Sequence, residues 1–400
     1  FFETNWTTNT DMKMQDAVSE SRRLLKAAVE RQLQADVEVG VMLSGGLDSS
    51  SIASLTKEVK GSADFHTFSI GFDEASFNES HHAETVAQYL GTRHHHIPID
   101  ADSVLDILPR YLTSIDEPYA DGSAIPTAML AQSAKEHVTV LLSGEGGDEM
   151  FSGYDTHAAS VARRWYRSVP AWIRKGLIAR AVQSLPVRHN KLSFDFKAKR
   201  FVQGVEHDTP YSHYAWREVL DEKAKRDLLV EPEALDSFPP SSSLFLDAWN
   251  TCSSSEELNR LLHIDRSHHL PDDLMVKNDR MTMAYSIEAR VPFCDTELVA
   301  FLASVPPALL MKGLTPKVLL RRAMKNHLPN SVLKRKKMGL EMPYSSWIRG
   351  PWNEWTRELL STNRVRATEI LRPDSVLRLL EEHEEMRFDH GRALWGIINF

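Results

Sequence analysis

In the stretch VMLSGGLDSSSIASL, residues 41–55, an apolar run ends in two glycines and a helical pattern begins. Gly45 and Gly46 allow the backbone to approach a ligand closely. The amides that open the following helix favour an anion, and the neighbouring serines can donate hydroxyl groups to phosphate oxygens. The stretch contains no lysine, unlike the loops that hold a transferred γ-phosphate. It therefore predicts a phosphate-binding loop of another type.

Apolar runs and helical patterns alternate on both sides of this loop. The predicted strands cover residues 37–43, 64–72, 94–99 and 138–144, and the predicted helices cover residues 11–35, 49–57, 79–91, 103–115 and 123–137. Strands that alternate with helices of this length are typical of βαβ units. The sequence thus predicts an α/β fold with a parallel twisted sheet, helices on both of its faces, and a mostly helical region after it.

The alternation ends near Tyr154, and the chain changes character twice after that residue. Residues 1–158 are predicted to form the α/β domain, with a helix at its N-terminal end. Residues 159–254 are basic and aromatic and predict an irregular insertion. Residues 255–400 predict a helical part that completes the active-site cleft.

Composition excludes several classes of protein. The net charge of −8 disfavours a nucleic-acid or membrane-surface binder, and no apolar run approaches the roughly 18 residues of a membrane span. Cys252 and Cys294 are the two cysteines of the chain, which excludes a disulfide scaffold and favours a reducing compartment. We expect a cytoplasmic enzyme that acts on small molecules.

A second glycine-rich loop, VLLSGEGGDE at residues 140–149, follows another predicted strand. Parallel strands present their carboxyl ends at one edge of a sheet, where ligands bind, so the two loops are expected to share a site. Asp48 would repel a bare phosphate, and its presence indicates a bridging Mg²⁺. Asp148 is a second candidate metal ligand, and Glu145 is a candidate for acid–base chemistry.

The missing lysine bears on the reaction. A loop of this kind can cradle the β- and γ-phosphates as a leaving group while the α-phosphorus is attacked. We therefore expect adenylation of a substrate with release of pyrophosphate.

Four motifs carry a resemblance to a known family. SGGLDSS resembles the pyrophosphate loop of the ATP-pyrophosphatase superfamily. Together with SGEGGDEMFSGY, KNDRMTMAYSIEARVPFCD and KVLLRRAMKNHLPNSVLKRKKMGL, it is similar to the synthetase domain of glutamine-hydrolysing asparagine synthetases. The motifs cover most of residues 15–360 in the order of that family.

The resemblance implies a mechanism and a set of site residues. A carboxylate, aspartate in the type enzyme, attacks the α-phosphate of ATP, and ammonia then converts the acyl-adenylate into an amide. Glu145 and Lys317 are the implied catalytic residues, Lys317 supplying from the distant helical part the charge that the loop lacks. Asp48 and Asp148 are the implied Mg²⁺ ligands. The implied ATP and pyrophosphate site consists of Met42, Ser44, Gly45, Gly46, Asp48, Ser49, Ile70, Ser143 and Gly144.

The acceptor is left open by the sequence. Relatives act on aspartate, and the alternative is a sugar acid or a peptide in surface polysaccharide or peptide-product biosynthesis. Asp121 and Ser123 are candidate acceptor-binding residues, since a short segment near them shapes the acceptor pocket in the family. Related β-lactam synthetases carry a tyrosine in place of Glu145, so attack by ammonia is favoured over ring closure.

Two rival classes are disfavoured. A non-catalytic nucleotide-binding regulator would have lost its catalytic groups, and Asp48, Glu145, Asp148 and Lys317 are all present. An RNA-modifying ATP pyrophosphatase would show basic or cysteine-rich features.

The chain begins with Phe1 and has no cysteine before Cys252, so the family's N-terminal glutaminase domain is expected to be missing from it. We expect either an excised synthetase domain or an enzyme that uses free ammonia. A homodimer is left open.

Two clusters of basic residues attract other interpretations. Consecutive side chains of a strand face opposite sides, so the run HHH at residues 94–96 is not expected to bind zinc by itself. The run KRKK at residues 334–337 is expected to lie in a surface loop near the mouth of the cleft rather than to bind nucleic acid.

Overall fold

The computed structural model describes residues 4–188, 191 and 193–400. Within them, one parallel sheet has five strands in the order β3-β2-β1-β4-β5. The strands are β1 (Val39–Met42), β2 (His66–Phe72), β3 (Arg93–Ile99), β4 (Val140–Leu142) and β5 (Glu288–Arg290).

Helices make up most of the rest of the described chain. As far as residue 264, the α-helices are α1 (Met14–Gln32), α2 (Leu47–Lys60), α3 (Ser80–Leu90), α4 (Ala101–Ser114), α5 (Ala124–Ala134), α6 (Gly147–Phe151), α7 (Asp155–Arg167), α8 (Ala179–Gln183), α9 (Phe194–Gly204), α10 (Thr209–Ala215), α11 (Glu222–Leu228), α12 (Ser242–Thr251) and α13 (Glu257–Ile264).

The remaining α-helices are α14 (Val276–Met283), α15 (Thr296–Ser304), α16 (Pro307–Leu310), α17 (Val318–Ala323), α18 (Asn330–Lys334), α19 (Tyr344–Arg349), α20 (Asn353–Leu359), α21 (Thr362–Ala367), α22 (Pro373–Glu384) and α23 (Gly391–Ile398). Two segments, Ile173–Ile178 and Asp265–Met275, are π-helical, and two others, Pro232–Ser237 and Pro292–Cys294, are 3₁₀-helical.

The order of the strands reverses between β1 and β4. The chain runs outward from β1 through β2 to β3 and then returns to place β4 on the other side of β1. Val41 of β1 is thereby paired with Thr67 of β2 on one side and with Leu142 of β4 on the other. In parallel sheets such a reversal leaves a crevice at the carboxyl ends of the two strands. Both glycine-rich loops begin at those ends.

The chain divides into two compact units, each assembled from three separate stretches. The first unit consists of residues 1–100, 124–161 and 248–340, and it contains the sheet. Its hydrophobic core joins residues of β1 and β4 to residues of α1, α2, α15 and α17. Residues 248–340 therefore pack into the same unit as the phosphate-type loop.

The second unit consists of residues 101–123, 162–247 and 341–400. Its core contains Trp347, Trp352 and Trp395, all of which are fully buried. The indole N–H of Trp352 donates to the carbonyl oxygen of Ala101 at 2.9 Å, which satisfies the polar atom of this buried ring.

The predicted fold class is confirmed, because a parallel sheet with helices around it is present. The four predicted strands and the five predicted helices of the first 144 residues are all found, whereas β5 was not predicted. The expectation of an irregular segment at residues 159–254 needs correction, since most of that segment is helical in short pieces from α7 to α12. Within the described residues, no helix is both long enough and apolar enough to cross a bilayer. The predicted domain boundaries at residues 158 and 254 stay predictions.

Candidate active site

The loop after β1 is shaped by its glycines and closed by its serines. Gly45 adopts φ +69°, and a Cβ atom there would lie 2.4 Å from the backbone carbonyl carbon of His82, so only glycine fits. The backbone N–H of Ser44 donates to the hydroxyl oxygen of Ser49 at 3.1 Å, and the two hydroxyl oxygens are 3.0 Å apart. Gly46 then leads directly into α2. The loop thus directs the N-terminus of a 14-residue helix toward the edge of the sheet.

The loop after β4 packs directly against the first loop. A Cβ atom on Gly144 would lie 2.6 Å from the backbone nitrogen of Ser49, and one on Gly147 would lie 2.7 Å from the carboxylate of Asp48. The second loop is held in turn by a hydrogen bond from the N–H of Ser143 to the carbonyl oxygen of Arg290 in β5, at 2.8 Å. The two loops therefore lie in direct contact, and a ligand site shared between them stays a prediction.

Lys317 lies between the carboxylates that the two loops carry. Its Nζ atom contacts Oδ2 of Asp48 and lies 2.6 Å from Oδ1 of Asp148, and the lysine is only 3% exposed. Lys317 also adopts φ +54°, a left-handed conformation that costs a non-glycine residue about 1–3 kcal/mol. The residue stands immediately before α17, so the start of that helix fixes where the ammonium lies.

Burial and charge shift the ionisation of this triad in different directions. Burial acts to lower the pKa of Lys317, but the carboxylates of Asp148 and Asp48 outweigh it, and the pKa is raised. Burial likewise acts to raise the pKa of Asp148, but Lys317 and Lys337 outweigh it, and the pKa lies far below its usual range. For Asp48, burial and the charge of Asp148 outweigh Lys317 and raise the pKa. Asp148 is the firmly ionised carboxylate of the pair.

A second lysine, Lys337, was not predicted as a site residue. Its Nζ atom pairs with Oδ2 of Asp148 and lies 3.8 Å from the centre of the Tyr154 ring, which places the cation over the ring face. The hydroxyl of Tyr154 contacts the carboxylate of Glu149, a residue with no exposed surface. Asp148 therefore bridges two ammonium groups.

A third lysine, Lys277, was also missed. Its Nζ atom lies 2.6 Å from Oε1 of Glu145, and its side chain is 4% exposed. A nearby ammonium favours the charged form of a carboxylate. The sequence held a signal for this residue, because Lys277 opens one of the four family motifs.

Along the basic run at residues 334–337, exposed side chains alternate with partly buried ones. Lys334 and Lys336 are exposed, whereas Arg335 and Lys337 are partly buried. A guanidinium N–H of Arg335 donates to Oε1 of Glu79 at 2.5 Å, and a second one donates to the carbonyl oxygen of Ser44 at 3.4 Å. Arg335 thus braces the first loop. The expectation of a plain surface loop holds for only half of the run.

The remaining predicted residues fall into two places. Met42 ends β1, and Ile70 lies in the second half of β2, so both stand at the same edge of the sheet as the loops. Asp121 and Ser123, the candidate acceptor residues, belong to the second unit. The hydroxyl of Ser123 donates to Oδ2 of Asp121 at 2.7 Å, and its backbone N–H donates to Oδ1 at 2.8 Å. These bonds give Asp121 a local structural role, and a role in acceptor binding stays a prediction.

Comparison with known proteins gives a consistent picture. A sequence model described as asparagine synthase matches residues 20–400. The chain is 32% identical to "Asparagine synthetase (glutamine-hydrolyzing) 1" of Bacillus subtilis strain 168, over 96% of this chain and 58% of that protein. It is 30% identical to "Putative asparagine synthetase (glutamine-hydrolyzing)" of Mycobacterium tuberculosis strain H37Rv, over 94% of this chain and 56% of that protein. A more distant relative, "Amidase chyE" of Penicillium rubens, is 24% identical over 88% of this chain.

The chain therefore spans little more than half the length of these relatives. The match of the family model over nearly all of the chain agrees with the resemblance that the four motifs carry. On these grounds the chain belongs to the asparagine synthase family.

Proposed function

We propose that this chain is the synthetase part of an amidotransferase that converts a carboxylate into an amide through an acyl-adenylate. The observation that carries the proposal is the position of Lys317, whose ammonium lies between Asp48 and Asp148 at the ends of β1 and β4. The loop itself holds no lysine, so the cation reaches the site from another part of the chain. The first-choice acceptor is the β-carboxylate of aspartate, as the names of the relatives suggest.

In the first step, an oxygen of the acceptor carboxylate attacks the α-phosphorus of ATP, and the bond from that phosphorus to the β-phosphate oxygen breaks. Pyrophosphate leaves, and a mixed anhydride of the acceptor and AMP is formed. We assign the backbone and hydroxyl groups of Ser44, Gly45, Gly46 and Ser49 to the departing pyrophosphate. Lys317 would stabilise the negative charge that accumulates on it in the transition state.

Mg²⁺ fits the residues present. Oδ1 of Asp48 is buried and has no hydrogen-bond partner within the described part of the chain, and carboxylate oxygens are the ligands that Mg²⁺ prefers. Asp48 and Asp148 would hold the ion. When bound, it would neutralise phosphate charge and orient the pyrophosphate for departure.

In the second step, ammonia attacks the carbonyl carbon of the adenylate, AMP leaves, and one proton must be removed from the nitrogen. Glu145 is the proposed base for that proton, and its ion pair with Lys277 supports the anionic form that a base requires. The ammonia would come from glutamine when a glutaminase domain is attached, as in proteins named glutamine-hydrolyzing.

A screen of acceptors tests the proposed function. The chain is supplied with ATP, Mg²⁺ and ammonium, and formation of AMP and pyrophosphate is measured with aspartate, other amino acids, short acidic peptides and uronic acids. We expect aspartate alone to give both products together with asparagine. Activity with a uronic acid or a peptide but not with aspartate would identify a different acceptor and would leave the proposed adenylation chemistry unchanged. ADP and phosphate as the products would contradict the proposed chemistry.

Removal of the ammonium of Lys317 should slow the first step. We expect Lys317→Met to reduce acceptor-dependent exchange of pyrophosphate into ATP by roughly 10²–10³-fold or more, because the positive charge that stabilises the departing pyrophosphate is lost. We expect a similar reduction in Asp48→Asn, because a proposed Mg²⁺ ligand is lost. The matched control is Lys336→Met, an exposed lysine of the same region, which should keep wild-type exchange. Equal exchange in Lys317→Met and the control, with both folded by circular dichroism, would remove Lys317 from the mechanism.

Replacement of Glu145 should separate the two steps. We expect Glu145→Gln to lower amide formation by roughly 10²–10⁴-fold, the usual contribution of a general base, while pyrophosphate exchange stays within a few-fold of wild type. Both rates are measured on the same preparation. A parallel loss of exchange and amide formation would assign Glu145 to adenylation instead.

A further inference from the structure

Three histidines from separate segments meet at the amino ends of the strands, the opposite edge of the sheet from the two loops. His66 opens β2, His95 is the third residue of β3, and His137 precedes β4. One ring nitrogen of each lies within 4.8 Å of the other two. We propose that His66, His95 and His137 form a binding site for a first-row transition-metal dication, with Zn²⁺ as the ion that fits best. This site is separate from the proposed function and goes beyond it.

The spacing of the nitrogen atoms is close to what such an ion needs. Nδ1 of His66 and Nε2 of His95 are 2.7 Å apart and share a hydrogen bond. Two imidazoles on a tetrahedral zinc, each with a Zn–N bond near 2.0–2.1 Å, hold their nitrogens about 3.3 Å apart. To bind the ion, these two nitrogen atoms would have to move apart by only about 0.6 Å. The donor ring would move its proton to its other nitrogen, so that both lone pairs face the ion.

The third ring lies against the other two and has room to turn. The centre of the His137 ring is 4.1 Å from that of His95 and 5.0 Å from that of His66, with near-parallel planes. His137 is exposed and the other two are partly buried, so His137 is the ring of the three with solvent on one side into which it can turn. Water can supply the fourth ligand of a zinc ion there.

The surroundings of His66 and His95 favour the neutral imidazole, the form that binds metal. Burial lowers the pKa of His66, and the charges of Arg93 and His137 lower it further, against the opposing carboxylates of Glu38 and Asp64. Burial, followed by His137 and His66, lowers the pKa of His95. The guanidinium of Arg93 is itself paired with Asp64 at 2.7 Å, which reduces its repulsion of a cation.

Neighbouring histidine side chains of β3 point to opposite faces of the sheet, as in any strand. His94 points to the other face, where its two ring nitrogens lie 3.0 Å from the hydroxyl oxygens of Thr67 and Ser69, and burial lowers its pKa to about 4. His94 and His95 thus have partners on opposite faces of the sheet. His95 contributes to a site only because the fold brings His66 and His137 to the same face.

The chemistry of this cluster distinguishes it from the Mg²⁺ site proposed at Asp48 and Asp148. A set of three imidazoles with no carboxylate favours Zn²⁺, Co²⁺, Ni²⁺ or Cu²⁺ over Mg²⁺. An ion there would tie β2 and β3 to the segment that enters β4. Its expected effect is stabilisation of the first unit.

Titration of the whole chain with Zn²⁺ in an excess of Mg²⁺, followed by calorimetry, tests this proposal. We expect one site that is weakened at least about tenfold in His137→Gln and in His66→Gln. His207→Gln, an exposed histidine of the second unit, is the matched control and should bind as wild type does. Co²⁺ should give visible absorption of a four-coordinate ion in the wild type and the control, and lose it in His137→Gln.

A second readout separates metal binding from folding. Zn²⁺ should raise the thermal midpoint of the wild type and of the control, and should leave that of His137→Gln unchanged, because only the metal-binding form is stabilised. Metal-free His137→Gln should melt as the wild type does, since His137 is exposed. Wild-type affinity and stoichiometry in both cluster variants, or absence of saturable binding in the wild type, would overturn the proposal.

Discussion

The ion pairs of Lys317 with Asp48 and Asp148 are the interaction on which the rest of the site depends. Each partner stands on a different part of the first unit: Asp48 follows β1, Asp148 follows β4, and Lys317 precedes α17. A buried ion pair that loses one partner leaves an uncompensated charge, which is strongly destabilising. The two loops and the start of α17 are therefore held in register by charge as well as by packing.

This arrangement separates the cation of the site from the loop that binds the phosphates. In a Walker-type loop, the lysine belongs to the loop and acts on the β- and γ-phosphates. Here the loop supplies glycines, hydroxyls and a carboxylate, and three lysines reach the acidic groups from elsewhere in the unit. Lys317 and Lys337 contact Asp148, and Lys277 contacts Glu145. In the proposed mechanism, that division of roles fits a pyrophosphate leaving group and an attack at the α-phosphorus.

The sequence predicted the features that depend on local pattern. The alternation of strands and helices was predicted from residues 11–144. The two glycine-rich loops and the position of Asp48 beside a helix start were predicted from residues 41–55 and 140–149. The strand β5 was missed because three residues carry too little periodicity to be recognised.

Features that depend on tertiary contacts were out of reach. One such feature is the ion pair of Lys337 with Asp148, and another is the proximity of His66 to His137. The residues next to them in the sequence show no pattern that would predict either contact. The cytoplasmic location, the homodimer and the absence of a nucleic-acid partner stay predictions. The roles assigned to the individual site residues stay proposals as well.

Which phosphorus the acceptor attacks is the central question, and transfer of an isotope answers it most directly. The acceptor identified by its activity is labelled with ¹⁸O in the reacting carboxylate, and the products formed with ATP and ammonium are analysed by mass spectrometry. We expect one ¹⁸O atom in each AMP and none in pyrophosphate, because a carboxylate oxygen bonds to the α-phosphorus and stays there when the amide forms. Label in inorganic phosphate, with ADP as the partner product, would show attack at the γ-phosphorus and rule out the acyl-adenylate.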